Sequence, residues 1–387
     1  MELPHGHHLA YCTNIHRGEN WEQTFDSLQR YTLAVRDRTA NGKRFAIGLR
    51  LSELAARELA EPSTLENFRD WLDKTNTYIF TINGFPYGRF HGGRVKEQVY
   101  APDWTSRERL EYTNLLFDLL VELVPAGIEG SVSTLPGSFK EFIRKESQRK
   151  RIRENLWRCV DHIAALREKS GKILHLGLEP EPLGLFETSR ETVEFLEEMK
   201  AERPGHEAVL AECLGVNYDT CHLAVEYEEP KDAVARFRRH GIKISKIHIS
   251  SALRVHADTQ TREALRQFTE DTYLHQVVSR SPEGELRRWK DLDLALTGSP
   301  AEEEWRIHFH IPLHFVPTRL FQTTTGHIDG LFAELEADPS LCTHLEMETY
   351  TWEVLPPEMR SDDVVDQLVK EYAWCEDRLR RFHLSAS

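Results

Sequence analysis

The chain alternates short apolar runs with longer stretches in which apolar residues recur every three or four positions. Residues 45–51 and 78–82 are typical of buried strands, and residues 63–74 and 105–124 have the spacing of amphipathic helices. This alternation predicts an α/β fold in which helices connect the strands. The predicted strands are residues 9–16, 45–51, 78–82, 128–134, 176–179, 216–219, 244–248 and 345–352.

Consecutive parallel strands joined by helices take the right-handed crossover, and eight such units close a barrel. We therefore predict a single (β/α)8 TIM barrel over residues 1–387. The regular pattern stops after the seventh strand, where residues 281–284 (Ser-Pro-Glu-Gly) predict a hairpin and residues 305–314 predict an extra strand. The sequence thus predicts an insertion, residues 255–325, between strands seven and eight.

Four successive predicted strands carry a metal-binding type of side chain near their carboxyl ends: Glu179, Asp219, His248 and Glu348. In a parallel barrel these ends meet at one rim, so we expect the four side chains to converge. Three carboxylates and one imidazole suit a divalent ion such as Mn²⁺, Mg²⁺, Co²⁺ or Zn²⁺. The alternative is that each is an ordinary charged residue at the end of a strand.

Two of these assignments stay open at the level of sequence. Side chains alternate with period two along a strand, so Glu179 and Glu181 share one side, and so do Glu346 and Glu348. We assign Glu348 because it lies nearer the predicted rim, and we retain Glu181 and Glu346 as alternatives.

Three histidines, His308, His310 and His314, alternate along the extra predicted strand and would occupy one face of it. A half-buried, hydrogen-bonded surface is the first interpretation, and contact of His310 with the residues around the metal site or with substrate is the second. Phe85, Tyr87 and Phe90, in the loop after the third strand, are candidates for the wall of an apolar pocket, although a packed loop explains them equally well.

The overall charge argues against a nucleic-acid partner. The chain has 49 Lys and Arg against 63 Asp and Glu, a formal net charge of −14, which repels a phosphate backbone. The six cysteines form no CxxC pair, a pattern that favours free thiols in a reducing compartment. Residues 1–8 have no secretory-signal pattern and no apolar run is long enough to span a membrane, so we predict a cytoplasmic protein.

The arrangement Glu179, Asp219-x-x-His222, His248 and Glu348 resembles the xylose-isomerase-like barrels, which include sugar isomerases and ketose 3-epimerases. The resemblance implies a divalent ion held by Glu179, Asp219, His248 and Glu348. It also implies that Glu179 and Glu348 transfer protons. It places substrate contacts at His222, three residues after Asp219, and at Arg254, six residues after His248. We add His310 and Glu181 as further candidates for contact with the substrate.

A further resemblance covers nearly the whole chain. Residues 9–16, 81–88, 178–182 and 348–352 are similar to the bacterial metabolite traffic protein family EboE. That resemblance implies a small-molecule metabolite as ligand, a membrane protein as partner and a role in moving the metabolite out of the cytoplasm. An oligomer is compatible with the sequence.

Two functional hypotheses follow, with a weaker third. The first is a metal-dependent isomerase, epimerase or related lyase that acts on a small polyol, sugar or hydroxy acid. The second is a non-catalytic protein that binds a metabolite and passes it to a membrane partner. A nuclease is disfavoured by the acidic charge.

Overall fold

Eight parallel strands alternate with helices along the chain, in a computed structural model that describes residues 1–298, 303–361 and 363–385. Within these residues the strands are β1 (His8–Tyr11), β2 (Phe45–Arg50), β3 (Thr77–Asn83), β4 (Gly130–Thr134), β5 (Leu174–Leu178), β6 (Leu214–Asp219), β7 (Lys243–Ile249), β8 (Leu253–His256), β9 (Val277–Arg280), β10 (Leu286–Trp289), β11 (Glu304–Ile307), β12 (Gln322–Thr323) and β13 (His344–Met347).

The helices of the described residues pack around the parallel strands or belong to the inserted segment. They are α1 (Trp21–Ser27), α2 (Leu33–Thr39), α3 (Glu53–Leu59), α4 (Pro62–Lys74), α5 (Arg107–Leu123), α6 (Glu146–Ser170), α7 (Ser189–Glu202), α8 (Glu207–Cys213), α9 (Thr220–Val225), α10 (Pro230–Arg239), α11 (Thr259–Leu265), α12 (Leu292–Thr297), α13 (Thr325–Ala337) and α14 (Val364–Arg381).

The parallel sheet has the order β1-β13-β7-β6-β5-β4-β3-β2, and its two edge strands approach each other at a parallel bridge between Cys12 and Gly48. The predicted α/β barrel is therefore confirmed. Gly48 permits this closure, because a Cβ atom there would lie 1.9 Å from Glu346 Oε1 and 2.7 Å from the Tyr11 carbonyl oxygen. A larger residue would push the barrel wall apart.

A second, antiparallel sheet lies between β7 and β13 in the chain, with the order β10-β9-β11-β8-β12. The β9–β10 hairpin turns at residues 281–284, where Gly284 N donates to the Ser281 carbonyl oxygen. This sheet has an apolar core of its own, which includes Phe268, Ile307 and Phe309. The inserted segment thus packs around side chains separate from the barrel core.

Three strands are shorter than predicted. The first barrel strand ends at Tyr11 rather than at residue 16, since a 3₁₀ turn at Thr13–Ile15 follows it. The other two differences lie closer to the predicted ligands. The extra strand ends at Ile307 rather than at residue 314, because Phe309 N donates to the Ile307 carbonyl oxygen and this tight turn redirects the chain. The eighth barrel strand ends at Met347 rather than at residue 352, since the chain enters a 3₁₀ turn at Tyr350–Glu353. Both changes affect the site, because the histidines and Glu348 lie just beyond these strand ends.

Side-chain caps begin several of the helices. Ser52, Ser106 and Thr188 accept a backbone N–H at the start of α3, α5 and α7, which compensates for donors that have no partner within the helix.

All six cysteines are free and buried. Among the helices of the described ranges, none combines the length and the apolar character that crossing a membrane requires.

Candidate metal centre

Four neighbouring strands bring the predicted ligands together. Glu179 directly follows β5, Asp219 ends β6, His248 lies in β7 and Glu348 directly follows β13. Because the strands are parallel and adjacent, their carboxyl ends share one rim. One ligand atom from each of the four side chains lies within 4.8 Å of the other three, and all four side chains are buried. The sequence therefore identified a real cluster of side chains.

His248 is at the centre of this group. Its Nδ1 lies 3.1 Å from Glu179 Oε1, 3.2 Å from Glu348 Oε2 and 3.6 Å from Asp219 Oδ2. Burial alone would lower the pKa of His248, yet the charges of Glu348 and Glu179 raise it well above its usual range. The carboxylates thus stabilise a positive charge at His248 Nδ1.

The other nitrogen of His248 is held by Glu346. Its Nε2 lies 2.9 Å from Glu346 Oε2, and the same oxygen lies 2.6 Å from Lys246 Nζ. Burial disfavours the charged form of Glu346, but Lys246 and His248 together lower its pKa to about 2. Glu346 is therefore an ionised partner of Lys246 that orients the ring of His248, whereas Glu348 belongs to the carboxylate group.

Glu179 and Glu181 also have different neighbours. Glu179 belongs to the group around His248, while Glu181 lies beside His222 and His308. Burial, followed by the negative charge of Glu179, raises the pKa of Glu181 well above its usual range. Burial and the charge of Glu179 therefore favour the neutral form of Glu181.

The carboxylate group fits a divalent cation. Glu179 Oε2 and Asp219 Oδ2 are buried and have no hydrogen-bond partner among the described residues. Three acids this close together repel one another, and buried carboxylate oxygens without a hydrogen-bond partner destabilise the folded protein. Three carboxylates and one imidazole are donors that Mn²⁺, Mg²⁺, Co²⁺ and Zn²⁺ accept. A bound ion of this class would satisfy both oxygens.

Two asparagines at the site were not identified from the sequence. Asn14 Nδ2 and Asn83 Nδ2 donate to Glu348 Oε1 at 2.8 Å and 3.0 Å, which leaves Oε2 directed at His248. Asn83 is the last residue of β3, so the strand-end rule that found the acids would also have found this amide. Asn14 lies in a 3₁₀ turn after β1 and carries no comparable signal.

A partly enclosed cavity adjoins the metal-binding group, with about 550 Å³ of empty space when the part open to solvent is included. Its polar floor includes Glu179, Glu181, His222, His308 and Glu348. Its walls are mainly apolar or aromatic and include Phe85, Pro86, Phe90, Val95, Val99, Tyr100, Tyr273, Leu274 and Tyr350.

Phe85 and Phe90 therefore line the cavity, as the wall hypothesis requires. Tyr87 instead packs against Tyr112, with ring centroids 5.1 Å apart.

The predicted substrate contacts separate into three groups. His222 and Glu181 line the cavity, and His310 is buried in contact with His222. Arg254 lies elsewhere, on β8 opposite Arg306, where it lines a different cleft with Glu228 and His327. The antiparallel sheet begins at Leu253, two residues before the predicted insertion, so Arg254 belongs to that sheet.

Comparison with known proteins assigns the family. Residues 46–282, more than half of the chain, match the xylose isomerase-like TIM barrels. The chain belongs to this family. No curated protein matches the sequence. The family assignment agrees with the eight parallel strands of the barrel.

Solved structures of this family have the same fold. A xylose isomerase-like TIM barrel protein from Mycobacterium smegmatis in complex with magnesium is 13% identical, with a TM-score of 0.54 and 99% of each chain covered. A D-tagatose 3-epimerase-like protein is 12% identical, with a TM-score of 0.50, 97% of this chain covered and 98% of that one. At these identities the likeness concerns the fold alone.

Proposed function

We propose that the protein is a metal-dependent enzyme of the isomerase or epimerase type, which moves a proton within a small hydroxy-carbonyl compound. The observation that carries this proposal is the convergence of Glu179, Asp219, His248 and Glu348 beside a cavity. The magnesium complex of the Mycobacterium smegmatis protein supports a metal site in a barrel of this kind, and the epimerase-like neighbour supports the reaction class.

Two of the four side chains are positioned to transfer protons. Glu179 and Glu348 both line the cavity and also face His248. One carboxylate would accept the proton from the carbon beside the carbonyl group. The other would return a proton, to the neighbouring carbon in an isomerase or to the opposite face of the same carbon in an epimerase. A divalent ion, when bound, supplies positive charge next to the substrate oxygens that become negative.

The remaining residues of the site hold these groups in place. Asn14 and Asn83 fix one oxygen of Glu348, and Glu346 fixes the ring of His248. His222 and Glu181, on the cavity floor, are the proposed contacts for the substrate oxygens. The apolar walls exclude water from the reacting carbon, which strengthens the electrostatic interactions within the site.

Exchange of solvent deuterium tests this function directly. Protein loaded with Mn²⁺, Mg²⁺, Co²⁺ or Zn²⁺ is incubated in D₂O with a panel of ketoses and hydroxy-carbonyl acids, and deuterium on carbon is measured by mass spectrometry. We expect incorporation that Glu179→Gln and Glu348→Gln abolish. A variant that retains the ion and loses no turnover would contradict the proton-transfer role.

The same experiment distinguishes an enzyme from a carrier. A protein that only binds a metabolite and passes it to a membrane partner, as the resemblance to EboE implies, would bind a compound from the panel without any exchange at carbon. Binding without exchange would therefore replace the enzymatic proposal with the carrier.

A further inference from the structure

The cavity beside the carboxylate group is polar on its floor and mainly apolar on its walls. Glu179, Glu181 and His222 belong to the floor. The apolar wall residues come from three parts of the chain, which are residues 84–106 between β3 and α5, the inserted segment before β9, and the turn after β13. A ligand in this space therefore meets hydrogen-bonding groups on the floor and apolar groups on the walls.

Aromatic rings form an ordered part of the wall. The ring centroids of Phe90, Tyr273 and Tyr350 lie 5.1–5.3 Å from one another. Such separations are typical of aromatic side chains that pack in pairs. Val95 belongs to the same apolar cluster, and Val99 packs against it. The wall thus presents one continuous apolar surface to the cavity.

Backbone hydrogen bonds hold this wall together. Val95 N and Lys96 N both donate to the Thr272 carbonyl oxygen at 2.8 Å. Lys96 Nζ donates to the Glu270 carbonyl oxygen at 2.8 Å and lies 2.5 Å from Asp291 Oδ2. The loop after β3 is thereby attached to the inserted segment, so the apolar surface is formed before any ligand binds.

Two further polar side chains of the wall are also engaged by protein groups. The Tyr273 hydroxyl lies 2.6 Å from His91 Nδ1. Gln276 Nε2 donates to the Pro182 carbonyl oxygen at 3.1 Å, and Gln276 Oε1 lies 2.8 Å from His308 Nδ1. A substrate hydroxyl group against this part of the wall would lose its hydrogen bonds to water and gain little in exchange.

The apolar side chains surround a space and do not fill it. About 550 Å³ remains between wall and floor, including the part open to solvent. Protein interiors are close-packed, so side chains that served only to pack the loop would be expected to close this space. The volume lies within the range of about 300–1,000 Å³ that is usual for small-molecule sites.

We propose that the substrate has a hydroxy-carbonyl group at one end and an apolar ring, aromatic or alicyclic, at the other. The hydroxy-carbonyl end would lie on the floor beside Glu179 and Glu348, and the ring would lie against the apolar wall. A free ketose is excluded, because its body carries a hydroxyl group on each carbon. This inference rests on the proposed function and names its substrate class.

Ketones that share one hydroxy-carbonyl end and differ in the body test the proposal. They are L-erythrulose, D-fructose, and two derivatives of L-erythrulose in which phenyl or cyclohexyl replaces the terminal hydroxyl group. Full-length protein loaded with Mn²⁺ is titrated with each compound by calorimetry, and deuterium exchange at carbon is measured separately. We expect the two ring compounds to bind about 10–100-fold more tightly than D-fructose and to exceed it in kcat/KM for exchange by a similar factor.

The two measurements separate the substrate class from the reaction. Equal or tighter binding of D-fructose, with exchange, would overturn the apolar substrate and leave the proposed function intact. Tighter binding of the ring compounds without exchange would support the apolar ligand and contradict the enzymatic function. The phenyl and cyclohexyl derivatives, compared with each other, show whether the wall prefers an aromatic ring.

A variant of the wall locates the ring. Val99→Thr keeps the branched shape of the side chain and replaces one methyl group at the cavity with a hydroxyl group. We expect it to lower the affinity for the phenyl compound about 10-fold and to leave that for L-erythrulose unchanged. Val209→Thr, at a partly buried valine of α8 that packs against the barrel core, is the matched control and should bind both as the wild type does. Unchanged affinity of Val99→Thr for the phenyl compound would overturn the placement of the ring against this wall.

Discussion

Lys246 and Glu346 form a fully buried ion pair inside the barrel, with Nζ 2.6 Å from Oε2 and neither side chain accessible to solvent. Each residue precedes a metal-site residue by two positions, Lys246 before His248 on β7 and Glu346 before Glu348 at the end of β13. The period of two places the ion pair and the metal-site residues on the same inner face. The pair therefore supports the site from inside the barrel.

Breaking this pair on one side should destabilise the protein strongly. We expect Lys246→Met to lower the free energy of unfolding by about 3–5 kcal/mol, because Glu346 would remain as a buried charge without its cation. The K246M/E346Q protein should recover part of that loss. Urea unfolding of the two single variants and the double variant measures the coupling, and strictly additive effects would show that the pair does not act as a unit.

The acceptor for His248 Nε2 should control metal affinity. We compare K246M/E346Q, whose amide oxygen can still accept from the ring, with K246M/E346L, which offers no acceptor. We expect the second protein to bind the ion of the carboxylate group about 10–100-fold more weakly, although no ligand has been removed. Calorimetric titration with Mn²⁺ measures this difference, and equal affinities would contradict an orienting role for residue 346.

The amides on Glu348 should matter more for turnover than for metal binding. Asn83→Ala removes one of the two donors that hold Glu348 Oε1, so the carboxylate gains freedom while Oε2 still faces His248. We expect the rate of deuterium exchange to fall on the order of 10-fold or more with the ion still bound. Asn155→Ala is the control, because that buried amide donates to the Trp104 carbonyl oxygen away from the site. Equal losses in both variants would indicate a general effect on folding.

Glu371 should make stability depend on pH. This carboxyl group is buried, accepts a hydrogen bond from Thr349 Oγ1 at 2.7 Å, and has its pKa raised by burial from 4.5 to about 8. Between these values the folded protein holds a proton that the unfolded chain has released, so stability falls as the pH rises. The slope for one such group is at most about 1.4 kcal/mol per pH unit.

Replacing Glu371 with Gln should remove that slope. Unfolding in urea at pH 5, 6, 7 and 8 would show wild-type protein losing stability across the series relative to Glu371→Gln. Glu66→Gln, at an exposed position on α4, should follow the wild type. Parallel curves for wild type and Glu371→Gln would show that Glu371 does not stay protonated in the folded protein.

Sequence patterns were sufficient to predict the barrel and the four side chains of the metal-binding group, which are His248 and the three carboxylates around it. Parallel strands are buried on both faces, so each appears as a short apolar run, and a charged residue at its end stands out. The same pattern could not separate Glu346 from Glu348, because both lie on the inner face. Their difference depends on Lys246, which belongs to another strand and becomes a partner only when β7 and β13 pair.

The histidines were placed incorrectly for a local reason. Alternation would put His308 and His310 on the face of a strand, but one turn hydrogen bond, from Phe309 N to the Ile307 carbonyl oxygen, directs them towards His222 instead. Such a turn has no Gly or Pro signature here. Arg254 was assigned to the site by its spacing of six residues from His248, which the family resemblance implies. In this chain that spacing leads into the antiparallel sheet, so Arg254 lies away from the site.

The pairing of β1 with β13 has a consequence for how the site is assembled. His8 lies opposite His344, so this pairing joins segments more than 300 residues apart in the chain. During synthesis the chain emerges from its N-terminus, and Glu348 is the last of the four metal-site residues, His248 among them, to be made. The carboxylate group is therefore completed only after almost the whole barrel exists. We expect the metal ion to bind a folded barrel and not to guide the early stages of its folding.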